Sequence, residues 1–584
     1  MNFSSTLRPG ALALAVALLS ACTGDDGDDG APGVAGADAE RTSIQLNFLG
    51  RYASGDYDEG AAEIVAFDPE TAQAYVVNAS LGEIDVIDLA DPTHPLHTGT
   101  IAVADGISGK LGVDPENIGG PNSVAIHDGV VAVAVEARPK TDNGWVSFYQ
   151  ATDGAFLSAV AVGPLPDMVT FTPDGSRVLI ANEGEPNDDY SVDPAGSVSV
   201  IDISAGVAAV DASRVVRVGF EDFNQGGSRA AELPEEVRIF GPDASVAQDL
   251  EPEYITVSAD SRTAWVSLQE NNAIAEIDVT SGQVTAIRAL GYKDHGVIGN
   301  ELDASDDDGP AIHIRTWPVL GMYQPDAIAA YDYQGRTYLV TANEGDARDY
   351  DTFSEEIRIR DIADDFGGEV LPDGLERFVF TGEIDDDHNL GRLRITSTQG
   401  FDSSEPGCSY DTASGEPDGC TYTRLYAYGA RSFSIWEART GQQVFDSGSD
   451  FERITAQRLG EKGFNVSNDS NEFDDRSDDK GPEPEALALG SVNGRTYAFI
   501  GLERTSGIMV YDISEPEAPH FVQYITSRDY EADPDTPEAG DIAPEGMVFV
   551  AAADSPNGEA MLLVGNEVSG TTAVFQVSPV EIAE

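Results

Sequence analysis

PEALALGSVNGRTYAFIGLERTSGIMVYDIS, residues 484–514, is the stretch that decides the fold. It holds three short apolar runs, PEALAL, TYAFIGLER and IMVYDIS, separated by Gly, Asn, Ser and Thr. Short apolar runs bounded by turn-forming residues are typical of β-strands. The same succession recurs along the chain, with units that begin AEIVAF at Ala62, PDMVTF at Pro166 and PEYITV at Pro252. A repeated strand unit of this length predicts a repeat fold.

Units of four antiparallel strands arranged radially make an all-β propeller, which is the predicted fold. The interval between Asp326 and Glu485 is too long for one unit, and its runs LGRLRITS, RLYAYGA, SFSIWEA and QQVFDSG are interpreted as an additional, degenerate unit. This favours eight blades, with seven as the alternative if the interval is an insertion. The last unit lacks a fourth strand, so we expect the N-terminal strand SIQLNFLGRY (43–52) to supply it and close the ring.

The N-terminus has the features of an export signal. An apolar stretch, ALALAVALL, precedes Leu19-Ser20-Ala21-Cys22, which matches the lipobox of bacterial lipoproteins. The predicted organisation is a signal peptide over 1–21, a lipidated Cys22 with a flexible Gly/Asp-rich tether over 22–40, and a single propeller domain over 41–584. An ordinary signal peptide with an incidental cysteine is the alternative. Thr23 replaces the Asp that favours inner-membrane retention, so we expect an exported, outer-membrane-anchored lipoprotein on the periplasmic or cell-surface side.

The charge balance limits the partners. The chain has 103 Asp and Glu against 33 Lys and Arg, a net charge of −70. Nucleic-acid binding depends on cationic groups that displace counterions, so nucleic acid is not an expected partner. Membrane contact is expected only through the lipid. The acidity either serves solubility, for example in a salty habitat, or is partly organised into cation sites.

Acids recur at equivalent places in the units. The first strand of each blade lines the channel of a propeller, and near its start stand Glu63, Asp167, Glu253, Asp326, Glu485 and Glu545, with Asn122 in the remaining unit. A second ring is expected at the ends of the second strands, from Asn78, Glu136, Glu183, Glu270, Glu344, Glu503 and Glu567.

Two similar loops add Glu185 and Asp346, because 182–188 and 343–349 share the pattern N-E-G-[ED]-x-x-D. Oxygen-only ligands suit Ca²⁺, with another divalent metal possible, so these acids are the predicted metal ligands. The alternative is that they cap strand starts and bind backbone N–H groups and water.

The sequence does not contain a known catalytic motif that would assign an enzymatic activity. G-x-S-x-G, P-loop, HExxH and CxxC patterns do not occur, so catalytic residues stay unknown and enzymatic activity stays open. Arg392, Arg424 and Arg504 are candidates for binding an anion, and salt-bridge roles are the alternative. Cys408 and Cys420 flank a turn-rich loop, and the oxidising export context predicts a disulfide between them.

Three stretches carry a family resemblance: NDSNEFDDRSDDKGPEPEALALG, GRTYAFIGLERTSGIMVYDIS and DIAPEGMVFVAAADSPNGEAMLLVGNEVSGTTAVFQV. Through them the chain resembles the choice-of-anchor I family of secreted bacterial proteins, whose domain also occurs in mesenchyme-specific cell surface glycoproteins of echinoderms. The resemblance implies a surface role in calcium-rich surroundings. Members are often labelled alkaline-phosphatase-like, partly because the domain occurs beside phosphatase or nucleotidase domains.

Two functions follow as hypotheses. The favoured one is a surface- or periplasm-displayed propeller that binds divalent cations, calcium above all, and serves as a binding or adhesion module. The alternative is a metal-dependent phosphohydrolase, alkaline-phosphatase- or esterase-like, acting at the channel. The ligand, whether protein, glycan or phosphoester, is left open, as is the oligomeric state.

Overall fold

A computed structural model describes residues 42–57 and 60–581. The predicted signal peptide, Cys22 and the tether lie outside the described residues. Within the described ranges, no helix combines the length and apolar character that a membrane crossing requires.

Short β-strands make up most of the described chain. Up to Ala289 they are β1 (Thr42–Ala53), β2 (Val65–Asp68), β3 (Gln73–Asn78), β4 (Glu83–Asp88), β5 (Leu96–Ala102), β6 (Ile118–His127), β7 (Val130–Ala137), β8 (Asn143–Gln150), β9 (Phe156–Pro164), β10 (Pro166–Phe171), β11 (Arg177–Asn182), β12 (Ser197–Asp202), β13 (Val215–Gly219), β14 (Pro252–Val257), β15 (Thr263–Leu268), β16 (Ala273–Asp278) and β17 (Gln283–Ala289).

The remaining strands are β18 (Tyr292–Asp294), β19 (Leu320–Met322), β20 (Ile328–Tyr333), β21 (Arg336–Asn343), β22 (Glu356–Arg358), β23 (Glu369–Val370), β24 (Arg394–Thr396), β25 (Ser409–Asp411), β26 (Glu416–Asp418), β27 (Thr421–Tyr422), β28 (Tyr426–Ala427), β29 (Ser432–Glu437), β30 (Gln442–Asp446), β31 (Pro484–Val492), β32 (Arg495–Leu502), β33 (Ile508–Asp512), β34 (His520–Ile525), β35 (Pro544–Val550), β36 (Met561–Asn566) and β37 (Thr571–Glu581). The α-helices are α1 (Val103–Leu111), α2 (Val246–Asp249), α3 (Asp361–Asp364) and α4 (Asp450–Leu459).

Seven four-stranded antiparallel sheets organise these strands within 42–57 and 60–581. Their first strands contact one another in cyclic order, β2 to β6, β10, β14, β20, β31, β35 and back to β2. The sheets therefore form a closed ring with the first strands at its centre, which is the predicted β-propeller. Apolar side chains between adjacent sheets form the core, as Val135 and Val77 do between the first two sheets.

The N-terminal strand closes the ring, as predicted. β1 pairs antiparallel with β37, with Leu46 opposite Val577, and completes the sheet β1-β37-β36-β35. Ile44 and Leu46 are buried while Gln45 and Asn47 are exposed. This alternation, readable in SIQLNF, is the reason the segment forms a strand with one buried face.

The prediction of an additional degenerate unit is wrong. SFSIWEA and QQVFDSG are β29 and β30, which complete the sheet begun by β20 and β21. LGRLRITS and RLYAYGA contain β24 and β28, which belong to a mixed five-stranded sheet, β18-β19-β28-β24-β22. Residues 344–431 are an insertion between β21 and β29, the second and third strands of one blade, and the count of four-stranded sheets agrees with the seven-unit alternative. Together with the segment between β18 and β20, the apolar runs of this insertion form a separate core around Trp317, Leu390 and Tyr422.

A disulfide joins Cys408 to Cys420 inside this insertion. The two cysteines enclose the β25–β26 hairpin, in which Ser409 pairs with Asp418. The hairpin loop is thus covalently closed at its base.

Candidate functional site

One ring of acids lies where the pairing of the inner strands is interrupted next to a proline. In four sheets the strand begins with Pro followed by an acid, and the ladder between the first and second strands is interrupted just there. Proline has no N–H for the ladder, and a β-bulge re-aims the side chain beside it. The acids at these bulges are Asp167, Glu253, Glu485 and Glu545.

Backbone hydrogen bonds bring the second ring alongside the first. The N–H of Glu183 donates to the carbonyl of Leu165 at 2.9 Å, and that of Glu503 donates to the carbonyl of Glu483 at 2.8 Å. Glu567 N–H donates to Ala543 in the same way, at 2.8 Å. Each acceptor stands two residues before a ring acid, so two carboxyl groups of one sheet are fixed at the same end of the channel.

Members of both rings line a cavity of about 320 Å³, and Glu270 lies beside the lining residue Gln269 in the chain. Among the described residues its lining has nine carboxyl groups against two cationic side chains, a strong local excess of acid. The lining residues are Asp167, Glu183, Glu253, Gln269, Asp326, Glu344, Asp346, Lys480, Glu485, Glu503, Arg504 and Glu545.

Within the part of the chain that the structure describes, one group of three acids forms no ion pair, although Arg348 acts electrostatically on Glu270. Carboxylate oxygens of Glu183, Glu253 and Glu270 lie within 4.8 Å of one another. Glu253 Oε2 and Glu270 Oε2 are buried and have no hydrogen-bond partner. Burial, and then the neighbouring Glu270 and Glu183, raise the pKa of Glu253 well above its usual value. We call these three residues the open triad; its unpartnered oxygens fit a divalent cation that accepts carboxylate ligands.

A second group of three contains its own counterion. Glu344, Glu483 and Glu503 also bring carboxylate oxygens within 4.8 Å. Lys480 Nζ lies 2.8 Å from Glu344 Oε1 and 2.9 Å from Glu483 Oε2.

Two arginines add to this neutralisation. Arg476 is 2.7 Å from Glu483, and Arg504 is 3.3 Å from it. Burial opposes ionisation of Glu483, but Lys480, Arg476 and Arg504 together hold its pKa below the ordinary value. This closed triad is therefore an internal ion-pair cluster.

The other channel acids have raised pKa values. Burial, then Glu567 and Asp167, raise the pKa of Glu63 to about 8. Burial, then Glu185, raise the pKa of Asp167 to about 7. Burial, followed by neighbouring carboxyl groups, also raises the pKa values of Asp326, Glu485 and Glu545. Crowded carboxyl groups must keep protons or take up cations, and these do not find enough cationic side chains.

The remaining predicted acids lie at or beyond the edge of this cavity. Glu185 is ion-paired with Lys140 and accepts a hydrogen bond from the Tyr350 hydroxyl at 3.1 Å, and it does not line the cavity. Asp346 does line it, with its side chain half exposed and 3.9 Å from Lys480. Glu63 and Glu567 stand outside the lining but act electrostatically on each other.

The predicted anion-binding arginines are divided. Arg504 lines the channel cavity, paired with Glu483 and Glu503. Arg392 belongs to the insertion, where it pairs with Asp306 and Asp478. Arg424 lines a different cavity, beside Pro372 and Phe378. The structure does not bring the three together.

Sequence reasoning missed Lys480 and Glu483. The repeat positions do not contain them, because both stand in the segment before the inner strand β31. A signal was present: Lys480 ends the acidic stretch NDSNEFDDRSDDK and directly precedes GPEPE. A lone lysine between two runs of acids is a reasonable candidate for a buried counterion.

Comparisons with known proteins give one domain match. The choice-of-anchor I domain matches residues 63–516. Gigasin-3a of Magallana gigas is 30% identical over 180 residues, covering 29% of this chain and 63% of that protein. A mesenchyme-specific cell surface glycoprotein of Strongylocentrotus purpuratus is 28% identical over 292 residues, covering 46% of this chain and 35% of that protein. The matched parts thus span less than two thirds of either relative.

The chain is also similar to solved structures at low sequence identity. Hydrazine synthase of Kuenenia stuttgartiensis is 13% identical with a TM-score of 0.41, and the match covers 91% of this chain and 99% of that one.

Proposed function

The chain belongs to the choice-of-anchor I family, and on that premise we propose that it is an exported, surface-displayed module whose propeller channel binds a divalent cation, calcium in the first place. In this proposal the cation-loaded propeller serves in binding or adhesion. The relative named a cell surface glycoprotein supports surface display. The lipobox at Cys22 supports a lipid anchor in the outer membrane.

The open triad is the observation that carries the cation proposal. Three carboxylates approach within 4.8 Å, and two of them keep a buried oxygen without a partner. At an effective dielectric constant of about 20, two unit charges at that distance repel by about 3.5 kcal/mol. A cation removes this repulsion and satisfies the buried oxygens at once. All donors are carboxylate oxygens, which suits Ca²⁺ better than a metal that prefers imidazole or thiolate.

The channel is proposed to hold one such cation rather than two. The closed triad has comparable spacing, but Lys480 already lies between Glu344 and Glu483. A metal ion there would have to displace a buried ammonium group. Glu183, Glu253 and Glu270 are thus the proposed ligands, and Asp167 and Asp326 contribute negative potential beside them.

The phosphohydrolase alternative receives no support from the channel geometry. An anionic phosphoester would need free cationic groups, and the two that line the cavity, Lys480 and Arg504, are both ion-paired with carboxylates. Metal-dependent release of phosphate that Glu270→Gln abolishes would favour the hydrolase over the binding module.

Calcium stoichiometry tests the cation proposal. The full chain is stripped with EDTA and titrated with calcium by calorimetry, beside Glu270→Gln and the control Glu70→Gln, which makes the same charge change on an exposed turn after β2. We expect Glu270→Gln to lose one bound calcium per chain and Glu70→Gln to keep the wild-type number. Equal calcium binding by all three proteins would refute the channel site.

The anchor is tested separately. Cys22→Ser should move the protein from the membrane fraction to the soluble fraction, because it removes the acylated thiol. Membrane retention of this variant would refute lipidation and leave the cation proposal untouched.

A further inference from the structure

A second set of buried oxygens lies outside the channel cavity. It involves Asp303 and Asp308 from the loop after β18, and Asn465 and Asp474 from the segment after α4. Each residue has one buried side-chain oxygen without a hydrogen-bond partner: Asp303 Oδ1, Asp308 Oδ1, Asn465 Oδ1 and Asp474 Oδ2. Asp303 and Asp474 are 1% exposed and Asn465 is fully buried. A buried acceptor left without a hydrogen bond loses its hydration without compensation, so four such oxygens need an explanation.

His313 orients the first two carboxylates. Its backbone N–H donates to Asp303 Oδ2, and its ring Nδ1 bonds to Asp308 Oδ2. His313 thus occupies the Oδ2 atom of both acids, and the Oδ1 atom of each acid is left without a partner.

Ser477 orients the other pair. Its hydroxyl donates to Asp474 Oδ1 and accepts a hydrogen bond from Asn465 Nδ2 at 2.8 Å. These two bonds fix both side chains and leave Asn465 Oδ1 and Asp474 Oδ2 without a hydrogen-bond partner. A neutral amide oxygen left without a donor points to a cation rather than to a missing proton.

Glu452 of α4 links the two pairs. It accepts a hydrogen bond from Asp303 N–H at 2.8 Å and one from Asn465 Nδ2 at 3.4 Å. Arg431 pairs with Glu452, so this central carboxylate is neutralised. Burial, and then Asp303, raise the pKa of Asp474 to about 8. The carboxyl groups of Asp303 and Asp308 both add to the negative potential at Asp474.

We propose that a calcium-class divalent cation binds between Asp303, Asp308, Asn465 and Asp474. Its chemistry would be that of a structural clamp, because it joins the loop after β18 to the segment that leads to Lys480. Carboxylate, amide and water oxygens together can supply the roughly six to eight ligands that Ca²⁺ accepts. Among the described acids these three are more widely spaced than either channel triad, which makes water ligands part of the proposal.

Calcium counting separates this site from the channel site. The EDTA-stripped full chain and its variants are titrated by calorimetry, with circular dichroism to verify folding. Asp474→Asn and Asp308→Asn should each lose one bound calcium per chain, and combining either with Glu270→Gln should lose two. Asp307→Asn, an exposed acid in the same loop, is the matched control and should lose none.

Two outcomes would overturn the proposal. The first is a folded Asp308→Asn protein that binds as many calcium ions as the wild type, and this variant decides the question if Asp474→Asn does not fold. The second is anomalous density from calcium-soaked wild-type crystals that shows a peak in the channel and none near Asp474. Loss of calcium only in Glu270→Gln would refute the clamp while supporting the channel site.

Discussion

Glu253→Gln should act on stability in opposite directions with and without calcium. Glu253 belongs to the open triad, where its carboxylate oxygen lies within 4.8 Å of those of Glu183 and Glu270. At 4.8 Å and an effective dielectric constant of about 20, each fully ionised neighbour would repel the Glu253 carboxylate by about 3.5 kcal/mol. Because burial and the neighbouring carboxyl groups raise the pKa of Glu253 and so oppose its ionisation, only part of this repulsion is present, and we expect the calcium-free variant to be more stable than the wild type by about 1–2 kcal/mol.

With calcium the order should reverse. A ligand that binds only the folded state adds about 2.7 kcal/mol at a concentration 100 times its Kd. Loss of one of three charged ligands should weaken binding on the order of 100-fold, which reduces that gain to about 0.4 kcal/mol at the same calcium concentration. The variant's melting temperature should therefore hardly respond to calcium, whereas the wild type's should rise.

The assay is thermal unfolding of both proteins in EDTA and in calcium, with Glu70→Gln as the control. Two results would refute the reasoning. If calcium stabilises Glu253→Gln as much as wild type, Glu253 is not a ligand. If the variant is the less stable protein in EDTA, the triad is not a centre of unrelieved repulsion and its oxygens are satisfied in another way.

Three further predictions follow from the same structure. Lys480→Met should destabilise the calcium-free chain by about 3–5 kcal/mol, because it leaves buried carboxylates unpaired, and calorimetry should detect one additional bound calcium. The calcium-free chain should lose stability as pH rises from about 4 to about 8: raised pKa values at Asp167 and Glu63 mean that the folded state binds more protons than the unfolded state in that window. Saturating calcium should flatten this decline, and melting temperatures across pH with and without calcium measure it; a rise in EDTA would contradict it. Leu46→Ala in β1 should cost about 2–5 kcal/mol in urea unfolding, because it empties a buried position in the strand that closes the ring, and a neutral effect would contradict that closure.

The propeller fold could be predicted from the sequence because the repeated strand pattern shows which positions of the units are equivalent. Most inner strands start with Pro and an acid, and most second strands end in or beside an amide or acid, so the ring positions could be aligned without coordinates. The insertion defeated this reasoning for a physical reason. Its strands are as apolar as blade strands because they bury a separate core, and nothing local distinguishes β24 and β28 from a third and fourth blade strand.

The candidate sites could be predicted only in part. Periodicity identified Glu183 and Glu253 as channel residues, but it could not divide the acids into an open and a closed triad. That division depends on Lys480, which enters from outside the repeat. The second cluster combines Asp303 with Asp474, which are far apart in the chain, and Glu452 and Arg431 link the two segments. Such pairs leave no periodic trace in one sequence.

Anomalous scattering from crystals of the full chain grown with calcium is the most direct test of the central claim. The claim predicts a peak between the carboxylates of Glu183, Glu253 and Glu270, at about 2.3–2.6 Å from their oxygens. A calcium-saturated protein with no peak at that position, or with its channel peak between Glu344 and Glu503 instead, would contradict it.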